Sequence, residues 1–313
     1  MTSTAWPRLT YPEHRDTIET LQLWTQIVGK VRLAQTPWLN HSWHVPLYVT
    51  ARGLGTGTIP HGGRAFELEF DFVRHALQVR VSTGEERSLA LEPRSVADLF
   101  GELMETLRAL ELPVTVDVLP NEVAEPIRFP DDTTHASYDP EYAHALWQAL
   151  LQMDRVFREF RTGFLGKASP VHFFWGSFDL AVTRFSGRTA PLHPGGVPHL
   201  SDHVAREAYS HEVSSAGFWP GGNGVDEPML YSYAYPAPEG FSDRAVEPAA
   251  ASFHAQLGEF VLPYEAVRSS SDPDAALLAF LESTYAAAAD AADWDRVALE
   301  CDLGRPGVPR PLE

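Results

Sequence analysis

The sequence is poor in cysteine and in positive charge. Of its 313 residues only Cys301 is a cysteine, so no disulfide within the chain and no cluster of thiolate metal ligands is expected. The chain has 24 lysines and arginines and 42 aspartates and glutamates, which gives a formal net charge of −18. Nucleic acids and anionic membranes attract clustered basic residues, so neither is an expected partner. The scarcity of cysteine is typical of reducing compartments and predicts a cytoplasmic location.

Long hydrophobic runs and familiar catalytic motifs are also lacking. No stretch approaches the roughly 18 apolar residues that suggest a membrane-spanning helix. The chain contains neither an HExxH metal motif nor a GxSxG nucleophile motif. Two glycine-rich segments, GLGTGTIPHGGR and GFWPGGNG, lie between predicted strands and do not lead into a helix whose N-terminus could bind phosphate. Candidate sites must therefore come from the predicted strands.

Hydrophobic periodicity predicts both helices and antiparallel strands. Apolar residues at helical spacing predict helices that cover approximately 16–36, 96–110, 140–166 and 273–290. The strict alternation of RAFELEFDF predicts a strand, and HALQVRVSTGEERSLAL predicts a hairpin with its turn at residues 83–86. Single strands are further expected in SWHVPLYVTARG (42–53), in VTVDVLP (114–120) and in ASPVHFFWGSFDLAVTRFSGR (168–188).

The order of these elements occurs twice along the chain. In each half a helix is followed by several strands and then by a second helix, and an offset of 133 aligns Leu47 with Leu180 and Val49 with Val182. The sequence therefore predicts an α+β protein built from an internally duplicated helix–antiparallel sheet–helix unit. Residues 1–125 and 126–313 are the expected halves, packed with pseudo-twofold symmetry.

The segment 168–188 carries more polar residues than a buried strand usually does. Alternation places Leu180 and Val182 on an apolar face and Asp179 and Thr183 on a polar one. A β-bulge at Gly176 would turn His172 toward that polar face. Two interpretations stay open, since a polar face of an antiparallel sheet either meets solvent or lines a small-molecule pocket between the halves.

Histidines and carboxylates provide the candidate chemistry. His44, His172, His211 and Glu212 are candidate acid–base residues, and Asp179 is the carboxylate that would orient an imidazole. A divalent metal is the one cofactor that the pattern indicates, with His44, His172 and His211 as its ligands. Histidines in strands are more often structural, so a hydrogen-bonded, non-catalytic role is the alternative.

Several long strings in the chain resemble a bacterial family catalogued as domain-of-unknown-function family 5996. They are NHSWHVPLYVTARGL, GRAFELEFDF, SPVHFFWGSFDLAVTRFSGR, HPGGVP and AYSHEVSSAGFWPGG, and the resemblance extends from about Trp6 to Glu300. It implies one intact cytosolic bacterial protein and carries no activity, cofactor or catalytic residue with it. The function expected from the residues is that of a small-molecule enzyme, and the alternative is a non-catalytic ligand-binding or scaffold protein.

Overall fold

The computed structural model describes residues 5–222 and 225–302 and shows an α+β fold with two antiparallel sheets. Within these residues, the helices are α1 (Tyr11–Gln35), α2 (Val96–Ala109), α3 (Pro140–Thr162), α4 (Asp202–Ala208), α5 (Tyr264–Arg268), α6 (Pro273–Ala291) and α7 (Arg296–Leu299). Short 3-10 turns lie at Asn40–Ser42, Phe129–Asp131 and Phe241–Asp243. None of these helices combines the length and the apolar composition that crossing a bilayer requires.

The first sheet follows the predicted alternation. Its strands are β1 (Tyr48–Val49), β2 (Gly53–Gly55), β3 (Ile59–His61), β4 (Arg64–Asp71), β5 (Ala76–Val81) and β6 (Glu86–Ala90). They are ordered β1-β2-β4-β5-β6, and β3 also pairs with β4. Phe66, Leu68 and Phe70 are buried as the pattern of β4 predicts, and the hairpin of β5 and β6 is confirmed.

The second sheet continues from the edge of the first. Its strands are β7 (His172–Phe174), β8 (Asp179–Thr189), β9 (His211–Trp219), β10 (Met229–Tyr235), β11 (Ser252–His254) and β12 (Glu259–Pro263). They are ordered β11-β12-β10-β9-β8-β7. Leu47, just before β1, and Phe173 of β7 exchange two backbone hydrogen bonds of 2.9 and 2.8 Å. This antiparallel bridge joins the two sheets edge to edge.

One hydrophobic core extends through both predicted halves. It includes Trp24 of α1, Leu47 beside β1, Phe157 of α3, Leu180 of β8 and Phe280 of α6. Helices α3 and α6 pack on each other, α3 contacts β8, and α6 contacts β9 and β10. The apolar face of the second sheet is therefore covered by helices, as predicted, and its opposite face remains available for a site.

Some predicted elements are wrong in ways that matter for the site. The segment 168–188 is a hairpin, because a turn at Trp175–Phe178 separates β7 from β8 and Phe178 adopts a left-handed backbone conformation with φ of 61°. Gly176 therefore lies in a turn and forms no bulge. The offset of 133 aligns equivalent residues of the two halves, so the bridge between Leu47 and Phe173 does not test it. Internal duplication with a pseudo-twofold axis stays a prediction, and so does the boundary at residue 125.

Proline explains most of the other corrections. Helix α1 begins at Tyr11, five residues before the expected start at residue 16, because Pro12 fits the first turn of a helix where no amide hydrogen is needed. The predicted strand 114–120 is irregular, with Pro113 directly before it and Pro120 as its last residue. In the segment 42–53 the pairing of β1 starts only after Pro46, which has no N–H to donate.

Candidate functional site

A cavity of about 770 Å³ lies on the polar face of the second sheet. Asp179, Ala181 and Thr183 of β8 line its floor, since residues two apart on a strand share a face. Next to them lie Ser215 of β9 and Tyr231 of β10. Residues from the segments 30–45, 117–122 and 197–209 complete the wall, so both predicted halves contribute. The polar face of the hairpin thus lines a cavity, which is one of the two interpretations left open above.

A glycine allows Tyr231 to reach Asp179 across the strand between them. On β9, Gly217 pairs with both Ala181 and Tyr231, and a Cβ atom at this position would overlap the Tyr231 hydroxyl. The Tyr231 hydroxyl and the Ser177 hydroxyl both donate hydrogen bonds to the Asp179 carboxylate. Burial raises the pKa of Asp179, while these two hydrogen bonds act in the opposite direction by favouring its ionised form.

A chain of hydroxyl groups crosses the same face. Thr183 and Ser215 share a hydrogen bond of 2.8 Å between strands β8 and β9. Tyr233 of β10 hydrogen-bonds to Ser215 and also shares a bond of 2.9 Å with the Tyr209 hydroxyl, just after α4. Burial raises the pKa of Tyr233 well above 10, so this phenol stays protonated and able to donate at neutral pH.

Two glutamates that the sequence did not single out join Asp179 at the cavity. Glu122 comes from the irregular segment after residue 120, and its carboxylate occupies the space that a side chain at Gly176 would fill. Glu259 is the first residue of β12. Burial, and then repulsion by Asp179, raise the pKa of each glutamate to about 7. Within residues 5–222 and 225–302, none of the three carboxylates forms an ion pair.

Lys30 is the one lysine or arginine among the described residues that line the cavity. Its ammonium group donates a 2.7 Å hydrogen bond to the Leu119 carbonyl and lies 3.5 Å from the Asp117 carboxylate. Burial lowers its pKa, and Asp117 acts against that shift. The charge of Lys30 is thus engaged by its own neighbours and not by Asp179, Glu122 or Glu259.

Aromatic rings form much of the remaining wall. They are Trp43, Phe174, Trp175, Phe185, Tyr209, Trp219, Tyr231 and Tyr233. At one end the Lys167 ammonium lies 5.2 Å from the Trp43 ring centroid and 4.9 Å from that of Phe185. The same ammonium is 2.5 Å from Nε2 of His41, whose Nδ1 faces the Glu207 and Ala208 carbonyls. Nδ1 is therefore the protonated nitrogen of a neutral His41, and Nε2 accepts from Lys167.

His172, predicted to act as a catalyst or metal ligand, is completely buried beside the cavity. It pairs with Ala181 and so shares the polar face because of the turn and not through the predicted bulge, and the rings of Trp43, Tyr48 and Phe174 surround it at 5.5 to 5.9 Å. Among the described residues, neither of its ring nitrogens has a hydrogen-bond partner. Burial, aided by the charges of Arg32 and Arg161, lowers its pKa to about 3. His172 is thus a neutral imidazole at physiological pH.

The other predicted residues lie away from the carboxylates. His44 is buried, and its Nδ1 accepts a 3.2 Å hydrogen bond from the Leu39 amide. The His211 ring contacts His41 edge-on, and its Nδ1 is 3.1 Å from the Ser210 hydroxyl. Glu212 accepts hydrogen bonds from Ser186 and Arg188. Of the five candidate catalytic residues, only Asp179 lines the cavity.

The predicted metal site is not assembled by this fold. His172 pairs with Ala181 and His211 with Thr189, so the two imidazoles lie at different levels of β8, and His44 belongs to the segment before β1. Throughout the part of the chain that the structure describes, no three His, Cys, Asp or Glu side chains are grouped so that they could hold a metal ion. The prediction gathered the histidines from separate strands, and the register of β7, β8 and β9 keeps His172 and His211 apart.

Sequence reasoning could have found one of the two missed glutamates. In β12 the alternation of Glu259 with Phe260 and Leu262 places the carboxylate opposite the apolar face, by the same logic that selected Asp179. Glu122 gave no such signal, because it lies in an irregular segment with no periodicity. Its position depends on contacts such as the hydrogen bond from its amide to the Pro198 carbonyl.

Fold and site together define an α+β protein with two joined antiparallel sheets and a carboxylate-rich, aromatic-walled cavity on one of them. The chain belongs to a family of unknown function (DUF5996), whose model matches residues 6–301. This match covers nearly the whole chain and confirms the family resemblance of the sequence. Comparison with curated proteins and with solved structures gives no match.

Proposed function

We propose that the cavity on the second sheet binds a small organic molecule. The observation that supports this most strongly is its form: about 770 Å³ of space with aromatic walls and a few convergent polar groups. Small-molecule sites commonly occupy roughly 300–1,000 Å³ and have this mixture of apolar wall and few polar anchors.

The proposed location of the protein is the cytoplasm of a bacterial cell, which the single cysteine supports. Recovery of the protein in a periplasmic fraction would contradict this location.

Filling the cavity is expected to abolish ligand binding. Ala181 lies on the floor between Asp179 and Thr183, so Ala181→Trp places an indole in the ligand space. A fragment library screened by ligand-observed NMR should give binders to the wild-type protein whose signals lose their saturation transfer with the Ala181→Trp variant. Ala90→Trp is the matched control, because Ala90 is exposed on β6 of the other sheet.

The control separates a lost cavity from a lost fold. Binding should persist in Ala90→Trp, and both variants should keep the wild-type far-ultraviolet circular dichroism spectrum. Fragments that bind Ala181→Trp as well as they bind the wild type would place the binding site elsewhere. A screen without any binder to the wild type would contradict the proposed function itself.

Acid–base catalysis is a second candidate, favoured by three carboxyl groups at one cavity whose pKa values are all raised. Burial raises the pKa of Asp179 against the hydrogen bonds that it accepts from Ser177 and Tyr231, and the pKa values of Glu122 and Glu259 are about 7. Carboxyl groups that titrate near neutral pH can serve as proton donor or acceptor there. In this proposal the carboxylates replace the histidines that the sequence suggested.

Turnover of a metabolite by the wild type and its loss in Asp179→Asn would support catalysis. The two proteins are incubated with a bacterial small-molecule extract, and consumed compounds are identified by mass spectrometry. Ser177 and Tyr231 donate to different oxygens of Asp179, so asparagine keeps an acceptor for one of them and has no charge. We therefore expect at least a roughly hundredfold loss, the scale of general acid–base contributions. Glu105→Gln, on the exposed face of α2, is the control for net charge and should keep wild-type turnover. An extract that remains unchanged would contradict catalysis and leave the binding function.

A further inference from the structure

We infer that the cavity selects a ligand with a positive charge, namely a protonated amine attached to an apolar or aromatic body. The inference rests on the proposed small-molecule site and adds the chemical class of its ligand. Three features carry it: three carboxylates without a cationic partner, a lining lysine that is already engaged, and aromatic rings beside the carboxylates.

Negative charge at the cavity is not balanced by the protein. Asp179, Glu122 and Glu259 all line it, and in the described part of the chain no lysine, arginine or histidine pairs with any of them. Buried carboxylates are costly unless they are paired, so an ammonium group that enters the cavity gains an attractive partner in any of the three carboxylates that it contacts. The same three groups would repel an anionic ligand.

Glu122 points most directly to a missing partner. Protein surrounds this side chain on most sides, and it lies against Gly176 in the cavity wall. Its backbone amide is bonded to Pro198, but its carboxylate has no hydrogen-bond partner among the described residues. An ammonium donor from a ligand would satisfy this acceptor. Lys30 is not that donor, because its ammonium group is bonded to Leu119 and lies beside Asp117.

Aromatic rings beside the carboxylates suit an organic cation. Tyr231 and Tyr233 stack with ring centroids 6.1 Å apart and an interplanar angle of 17°, and Tyr231 also contacts Asp179. The faces of such rings attract ammonium groups and also provide apolar contact for the rest of a ligand. The chain itself shows this behaviour where the ammonium of Lys167 lies over the rings of Trp43 and Phe185, two lining residues.

The charge of the ligand can be varied on one constant body. Tryptamine, tryptophol and indole-3-propionate share an indole ring and carry an ammonium, a hydroxyl and a carboxylate, respectively. Isothermal titration calorimetry at pH 7.5 with the wild-type protein should give at least a roughly tenfold tighter dissociation constant for tryptamine than for tryptophol, as one charged hydrogen bond would supply. Indole-3-propionate should bind more weakly than either.

Charge-neutral variants locate the effect. In the double variant Glu122→Gln/Glu259→Gln, tryptamine should lose at least a roughly tenfold factor in affinity, while tryptophol should change by less than about threefold. Glu105→Gln is the matched control, because it removes one carboxylate from the exposed face of α2 without touching the cavity. It should leave the affinity for tryptamine unchanged, which excludes a general effect of the net charge of −18.

The outcomes distinguish the ligand class from the site itself. If tryptophol or indole-3-propionate binds as tightly as tryptamine, and Ala181→Trp abolishes that binding, the inference fails while the proposed small-molecule site stands. Failure of tryptamine to bind at millimolar concentration also overturns the inference, and the fragment screen then decides on the site independently. Equal losses in Glu105→Gln and in the double variant would likewise overturn it.

Discussion

Replacing His172 with phenylalanine is expected to stabilise the protein, and most strongly in acid. In the folded protein the pKa of His172 is about 3, against an ordinary value of 6.5. Below pH 6.5 the unfolded chain therefore binds a proton that the folded protein does not bind. The free energy of unfolding thus falls progressively as the pH decreases to about 3. At pH 4.5 this loss amounts to roughly 3 kcal/mol, because each pKa unit corresponds to about 1.4 kcal/mol. Phenylalanine does not titrate and removes the loss.

A smaller gain is expected at neutral pH as well. His172 is fully buried among aromatic rings, and neither of its ring nitrogens has a hydrogen-bond partner in the described residues, so both are desolvated without compensation. Removing such groups in favour of an apolar ring of similar shape gains about 1 kcal/mol. Repacking the slightly larger ring against Trp43, Tyr48 and Phe174 offsets part of this gain.

Urea denaturation at pH 4.5 and at pH 7.5 measures both effects. His203→Phe is the matched control, because it replaces an exposed imidazole, and it should keep the wild-type difference between the two pH values. Destabilisation of His172→Phe at both pH values would contradict the account and indicate that the imidazole makes a bond in the native protein. A stable His172→Phe variant that binds fragments normally would remove His172 from the candidate catalytic residues.

The sequence predicted the regular parts of this fold, and its predictions failed where the backbone is irregular. Alternation identified β4 and the hairpin of β5 and β6, and apolar spacing identified α2, α3 and α6. The turn at 175–178 was missed because it lies within an aromatic run, FFWGSF, in which only Gly176 and Ser177 signal a reversal. Periodicity describes regular segments, so an apolar turn between two short strands looks like a continuous strand.

The site was predictable to the extent that it follows from strand faces. Asp179 and Thr183 share a face whatever precedes them, so both line the cavity although the turn before them was not predicted. His172 does lie on the same face, yet Trp43 before β1 and Tyr48 of β1 cover it, and no local pattern encodes a contact between distant segments. For Glu122 the same holds, because a loop brings it to the cavity.

Glu122→Gln and Glu259→Gln are expected to stabilise the protein at alkaline pH, the opposite end of the range from His172→Phe. Each glutamate has a pKa of about 7 in the folded protein, against 4.5 ordinarily. Between these values the folded protein holds protons that the unfolded chain has released, so stability falls as pH rises from about 4.5 to 7. Glutamine cannot ionise, so each substitution should gain roughly 2 kcal/mol at pH 8, after allowance for solvent in the cavity, and close to nothing at pH 4.5.

These gains would show that the carboxylates are retained at a cost in stability. Repulsion by Asp179 contributes to both pKa shifts. The double variant Glu122→Gln/Glu259→Gln should therefore gain less stability when Asp179 is also replaced by asparagine than it gains in the wild-type protein. Urea denaturation at pH 4.5 and 8 measures the effect, and Glu105→Gln on the exposed face of α2 should stay within about 0.5 kcal/mol of the wild type at both. A loss of stability at pH 8 in Glu122→Gln would mean that its carboxylate already has a cationic partner in the protein. A gain there, together with weaker tryptamine binding, is the behaviour of a site whose buried charge is compensated only when its ligand is bound.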